Sequence, residues 1–273
     1  MKNKLTVTVA IVVLVLSSPC IFAAGTNDPA VELKALITKV KADIRAGKTT
    51  EAALADDIKQ YDVLLAEHQG EKTEAVARIL YMKAALYAEV FHNDAKAAEL
   101  KKQLKTEFKN TELVASLKKR EARQAEAEKI QAGLVKGTKF PDFNEKDTAG
   151  KPLSIANYKG KVVLVDFWAT WCGPCVGELP NVLKTYGKYH DKGFEVIGIS
   201  LDSDRQKLES FIKQKNVTWP QFFDGQAWGN KLAMKYGVES IPATFLLDGK
   251  GKIIGKDLRG EDLEQAVAKA LAK

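Results

Sequence analysis

Cysteine is scarce in this 273-residue chain: there are three, Cys20, Cys172 and Cys175. That excludes a disulfide-stapled scaffold, which carries more cysteines at wider spacings. It also excludes a structural zinc site built from two cysteine pairs. There is no second pair, and His68, His92 and His190 show no ligand spacing to one another. Haem attachment needs a histidine directly after the second cysteine, and Val176 stands there. A block of one charge sign is also missing. The net charge is +7, yet lysines and acids alternate, and Lys118-Lys119-Arg120 is followed at once by Glu121. A nucleic-acid binder concentrates basic charge on one face or stripe, so no nucleic-acid partner is expected. With 45% hydrophobic and 28% charged residues, the composition is that of a folded protein of one or two domains.

Lys2 and Lys4 precede the apolar run 5–16, which is followed by Ser17-Ser18-Pro19-Cys20-Ile21-Phe22-Ala23-Ala24-Gly25. This basic, apolar and small-residue order predicts a secretory signal peptide over 1–24 and an exported chain in the periplasm or cell envelope. The run is shorter than the roughly 20 residues of a bilayer span, but counting on through Ala24 reaches that length. An uncleaved anchor is therefore the alternative. Lipidation at Cys20 is not expected, because Ser17 and Pro19 occupy the places where a lipobox has an aliphatic and a small residue. Processing would leave Cys172 and Cys175 as a single tight pair, a pattern suited to redox chemistry rather than stapling.

Between residues 28 and 131 the sequence is rich in Ala, Leu, Lys and Glu, and glycine occurs only at Gly47 and Gly70. Apolar residues recur at three and four, as in Val31, Leu33, Leu36, Ile37 and Val40, which is amphipathic helix spacing. Breaks at Thr49-Thr50, Gly70, His92-Asn93-Asp94 and Asn110-Thr111 predict about five helices in a helical domain over 25–131. The stretch 75–117 weakly resembles a tetratricopeptide-type hairpin, without a second copy at a fixed period. Gly133 and Gly137 mark a linker over 132–139. Beyond it, Val162-Val163-Leu164-Val165 and Phe194-Glu195-Val196-Ile197-Gly198-Ile199 are strand-like. A helical pattern runs over 172–189, and Asp204 is placed to cap another helix through about 215. Thr244-Phe245-Leu246-Leu247 and Lys252-Ile253-Ile254 flank the turn signal Asp248-Gly249-Lys250-Gly251, and a last helix covers 261–272. The order predicts a mixed sheet with helices on both faces over 140–273.

Trp171-Cys172-Gly173-Pro174-Cys175 follows directly on the strand 162–167. Cys172 is thereby placed at a helix N-terminus, where unpaired N–H groups and the helix dipole stabilise a thiolate, the attacking species in disulfide exchange. Cys175 lies one turn further in, close enough to close a ring, and is expected to be the more buried. Pro174 suits a first helical turn, where a missing N–H is harmless. Trp171 is expected to be partly exposed beside the pair, and Trp219 and Trp228 to be core.

Val165-Asp166-Phe167-Trp168-Ala169-Thr170-Trp171-Cys172-Gly173-Pro174-Cys175 resembles the active-site segment of thioredoxins. The wider pattern, from Phe140-Pro141-Asp142-Phe143 through Tyr158-Lys159-Gly160-Lys161 to Ile241-Pro242-Ala243-Thr244-Phe245, is similar to the exported TlpA/ResA-like branch of that superfamily. The resemblance covers about 140–273 and implies a thioredoxin fold without metal or organic cofactor. It makes Pro242 the cis-proline facing the dithiol, with the main chain at Ile241 pairing with the substrate as an added strand. Asp166 matches the buried aspartate of thioredoxin, and Glu178 the active-site glutamate of the branch. The branch often lacks an acid at the Asp166 place, so this chain has features of both groups, and either carboxylate is a candidate to take the proton from Cys175.

The resemblance implies reduction of protein disulfides: Cys172 attacks, Cys175 resolves, and a membrane thiol-redox protein supplies electrons. Three alternatives stand beside it. A peroxidase-type redoxin has Thr or Ser three residues before its reactive cysteine and Pro three earlier; here Ala169 and Asp166 stand there. A scaffold would recruit clients through the helical half. A net oxidase would run the exchange backwards, against the Gly173-Pro174 dipeptide of reducing thioredoxins.

Overall fold

The computed structural model describes residues 28–272, so the leader and Cys20 lie outside the described residues. The chain divides into two compact units between Lys118 and Lys119. The first holds α1 (Pro29–Arg45), α2 (Ala55–Glu67), α3 (Glu74–Glu89), α4 (Asp94–Glu107) and the first turns of α5 (Glu112–Gly133). The connections fall where the sequence breaks its period. Asp28, Thr73 and Asn93 each accept a main-chain N–H as helix N-caps, from Ala30, Val76 and Lys96. Leu33, Leu36 and Val40 of α1 pack with Leu54, Tyr61, Ile79 and Leu86, and a second cluster joins Leu80, Ala84 and Tyr87 to Leu100, Leu104 and Phe108. His68 is buried against Glu71 at 3.0 Å and Glu32 at 3.4 Å. The Glu71 contact, with Glu32 behind it, raises its pKa, so it is a satisfied histidine. Among the described residues no helix is long and apolar enough to cross a membrane.

The second unit holds the rest of α5, then β1 (Glu145–Lys146), β2 (Pro152–Leu153), β3 (Val162–Trp168), α6 (Gly173–Tyr189), β4 (Phe194–Ser200), α7 (Arg205–Gln214), β5 (Gln221–Phe223), α8 (Lys231–Lys235), β6 (Ala243–Leu247), β7 (Ile253–Lys256) and α9 (Gly260–Leu271). β1 and β2 form a small hairpin, and the other five strands form one sheet in the order β5-β4-β3-β6-β7. β3 runs parallel to β4 and antiparallel to β6. Both centre strands are mostly apolar, because helices cover both faces; Asp166 on β3 and Glu195 on β4 are the charged exceptions. On β3, Val163, Val165 and Phe167 pack with Leu232, Ala233 and Tyr236, whereas Val162 and Leu164 pack with Leu179, Val182, Leu263 and Val267. Side chains alternate along a strand, so Asp166 falls on the face covered by α6 and α9. That parity puts a carboxyl under the helix that begins at the cysteines.

The interruption placed at 132–139 is not where the units part. α5 continues unbroken to Gly133, and its second half packs with the sheet unit. Ala127 and Leu134 are buried, and Ile130 rests on the core around Tyr236. Gln131 Nε2 donates to the Tyr236 carbonyl at 2.6 Å, and Arg123 pairs with Glu239 at 2.8 Å. The approach needs Gly237: its φ is +62°, and a Cβ there would stand 2.6 Å from the Ala127 carbonyl oxygen.

Candidate active site

Cys172 is the N-cap of α6, and its Sγ accepts the Cys175 main-chain N–H at 3.2 Å. Pro174 occupies the first turn, and Pro180 sits inside the same helix. Cys172 and Cys175 are joined in a disulfide. Each residue is 5% exposed, so Cys175 is not the more buried of the two.

The approach to Cys172 is held by a buried acid that the sequence did not point to. Asp202 accepts Thr170 Oγ1 at 2.5 Å, the Thr170 N–H at 3.1 Å and Ser200 Oγ at 2.8 Å. These bonds tie the turn after β3 to the end of β4. Trp168 is buried, with its Nε1 donating to Gln221 at 2.9 Å. Trp171 is 53% exposed, as expected. Trp228, expected in the core, is instead 36% exposed and faces Trp171 at a ring separation of 6.0 Å. It lies on a turn where Ala227 has φ +47° and the buried Asn230 bonds Ser200 and Asp224. The two rings make an aromatic surface next to Cys172.

The Ile241–Pro242 bond is cis. Arg259 fixes this corner: it donates to the Pro242 carbonyl at 2.7 Å and to Thr244 Oγ1 at 3.0 Å. Asp166, Cys175, Glu178, Pro242 and Arg259 line a cleft behind the disulfide, of 10 Å³, about the room one water needs. Asp166 and Glu178 share that cleft but differ in their bonds. Glu178 accepts the Gly260 N–H at 2.7 Å, at the start of α9, and Asn181 Nδ2 at 3.0 Å. Among the described residues Asp166 has no hydrogen-bond partner of this kind. Burial pushes its pKa up to about 7; the Arg259 charge opposes the rise and the Glu178 carboxylate adds to it. Ile241 is half-buried, and its main chain precedes the cis bond to Pro242. All seven residues singled out from the sequence (Cys172, Cys175, Asp166, Glu178, Trp171, Ile241, Pro242) belong to the unit that starts at Lys119. Arg259, Asp202 and Trp228 join them unannounced by any motif.

A redox-active cysteine pair at a helix start, under a five-stranded mixed sheet with helices on both faces, defines the class: a thioredoxin-fold dithiol oxidoreductase. Residues 135–272 match the Redoxin family. The chain is 34% identical over 137 residues to thiol-disulfide oxidoreductase ResA of Bacillus thuringiensis subsp. konkukian, covering 50% of this chain and 77% of that one. It is 30% identical over 121 residues to ResA of Bacillus subtilis, covering 44% and 66%. A solved thioredoxin domain of a thiol-disulfide oxidoreductase from Bacteroides vulgatus matches at 35% identity and a TM-score of 0.46, over 50% of this chain and 97% of that one. The chain belongs to the redoxin family, as a ResA-like thiol–disulfide oxidoreductase of the thioredoxin superfamily.

Proposed function

We propose that the chain reduces disulfides of exported proteins, with Cys172 as nucleophile and Cys175 as the resolving thiol. The observation that carries this is the position of the Cys172 sulfur as N-cap of α6, accepting the Cys175 N–H. The same N–H and the helix dipole would hold a thiolate there. In the reduced protein the Cys172 thiolate attacks one sulfur of the substrate disulfide and expels the other as a thiolate. Cys175 then loses its proton and attacks the Cys172 sulfur. The substrate's second thiolate leaves, and the Cys172–Cys175 disulfide closes. Two electrons pass to the substrate in one turnover, and a membrane thiol-redox donor would return them.

Of the two acids, Asp166 is the better proton acceptor for Cys175. It shares the cleft with that sulfur, and a group titrating near 7 is matched to proton transfer at neutral pH. Glu178 is committed to the α9 N-terminus, and its role is to position the cleft. The main chain at Ile241 would pair with the substrate strand, and the Trp171–Trp228 surface would carry the apolar residues near its cysteine. The signal-peptide pattern at 1–24 supports export to the periplasm or cell envelope.

The test is electron transfer from the prereduced protein to insulin, freed of excess dithiothreitol. One insulin disulfide should be opened per dithiol, with none for Cys172→Ser. Peroxide consumption without an added thiol partner would favour the peroxidase reading. A second outcome reads the thiolate: in reduced Cys175→Ser, alkylation of Cys172 should have a midpoint below the free-thiol value of about 8.5, near pH 7. A midpoint above that value would remove the helix-end argument.

A further inference from the structure

The second half of α5 begins before the residues matched to the redoxin family, and it walls a groove that opens beside the dithiol. This groove, of 470 Å³, is lined by Gln124 and Glu128 of α5, by Glu239, Ser240 and Pro242, and by Lys256 of β7. Pro242 also lines the cleft behind the disulfide, so the groove and the cleft at Cys175 share a wall. The main-chain groups of Ser240 and Ile241 make no hydrogen bond with the described residues. They are free to pair with an incoming strand, and a strand paired there continues over the groove.

The charges are uneven in a specific way. Lys256 is half-buried and donates to Gln131 at 2.7 Å with its ammonium 5.2 Å from the centre of the Phe245 ring, and Asp257, which also lines the groove, accepts the Thr244 N–H at 3.1 Å and lies 3.9 Å from Arg259. Glu239 is neutralised by Arg123 at 2.8 Å. Glu128 is exposed, and among the described residues it accepts only the neutral Gln124 amide, at 3.1 Å. One carboxylate without a cation partner therefore faces the path of the substrate chain. We propose that this groove receives the polypeptide flanking the substrate cysteine and selects a basic residue in it, with Glu128 as the counter-charge. The inference rests on the disulfide-exchange reading above and adds to it a substrate class: protein disulfides with Lys or Arg near the attacked cysteine.

The test uses the full chain, reduced, and two peptides with one intramolecular disulfide each. They are identical except for lysine or glutamate at the positions flanking the cysteine. At low ionic strength kcat/KM should favour the lysine peptide by up to about 5-fold, the upper end of an exposed ion pair's range, and added salt should shrink the preference. Glu128→Arg should abolish or reverse the ratio. Glu209→Arg, the same charge change on α7 away from the groove, should leave the ratio as it was. Both substituted positions are exposed, and circular dichroism checks the fold. Equal rates on the two peptides, an unchanged ratio in Glu128→Arg, or the same change in Glu209→Arg would overturn the groove assignment and leave disulfide exchange standing. Reduction of neither peptide would overturn disulfide exchange and this inference together.

Discussion

Cys175→Ser will hold substrates on Cys172 as mixed disulfides that survive denaturation, while multiple-turnover reduction falls by about 10³-fold or more. The reason is geometric. Cys175 is one turn along α6 and within bonding distance of Cys172, so it is the thiol placed to break the mixed disulfide. Serine keeps the size and the N–H that Cys172 uses, but it cannot attack sulfur. Non-reducing electrophoresis followed by mass spectrometry reads the adducts and names the substrates. Cys172→Ser should give none. Adducts attached through Cys175 in that variant would reverse the two roles.

Asp166→Asn will stabilise the protein at alkaline pH and slow turnover at neutral pH. An aspartate in the unfolded chain titrates near 3.9, and in the folded chain Asp166 titrates at about 7. Below the lower value both states are protonated and the carboxyl is neutral. Between the two, the unfolded chain gives up its proton and the folded chain keeps it, so stability declines as pH rises. Above the higher value the whole penalty is present. Three pH units correspond to about 4 kcal/mol at most, and access through the cleft brings that to about 2–4 kcal/mol. Asparagine carries no charge to bury. The variant should match the parent near pH 4 and exceed it by this amount at pH 8, or roughly 5 to 15 °C in Tm. All four tryptophans (Trp168, Trp171, Trp219 and Trp228) lie in the sheet unit, so their fluorescence reports that unit alone. Release of the mixed disulfide should slow about 10- to 100-fold at pH 7. Parallel stability curves for variant and parent would show that Asp166 is ionised in the folded protein at neutral pH.

Local pattern carried much of this fold. Val162 to Trp168 is a run of apolar residues broken by one acid, and the parity of the strand is enough to put that acid under α6. The cysteine spacing and the Ile241–Pro242 pair were legible because each is a short motif. β5 was not, because three residues after Pro220 are too few to show a period, and buried Gln221 reads as polar until its bond to Trp168 is seen. α8 is only five residues long, and its cap, Asn230, looks like an ordinary loop residue. Glycines at 133 and 137 signal a break in the chain, whereas the two compact units part between Lys118 and Lys119, inside α5. What decides the boundary is which surface Ala127, Ile130 and Leu134 cover. Helical periodicity shows that α5 has an apolar face, not what lies against it.

The site follows the same division. Cys172, Cys175 and Pro242 announce themselves, whereas Arg259 reaches Pro242 from 17 residues away and Asp202 reaches Thr170 across 32. No sequence period links such positions. Trp228 escaped for another reason: large aromatics are mostly buried, and its exposure depends on the left-handed turn at Ala227. Resemblance left Asp166 and Glu178 equal. Their surroundings separate them, because one carboxylate is held by an α9 N–H and the other is not.

The equilibrium potential of the Cys172–Cys175 pair tests the central claim most directly. Gly173 and Pro174 bring no cation or imidazole to the Cys172 thiolate, so the reduced form lacks the extra stabilisation that makes an oxidant. Strong oxidants of this fold stand near −120 mV and thioredoxin near −270 mV, a gap of about 7 kcal/mol that a helix terminus common to both cannot supply. Equilibration in glutathione and dithiothreitol buffers, with the free thiols quantified, should place this pair at about −220 to −280 mV, where it is a reductant in an oxidising compartment. A value above about −150 mV would contradict that account and make the protein a donor of disulfides.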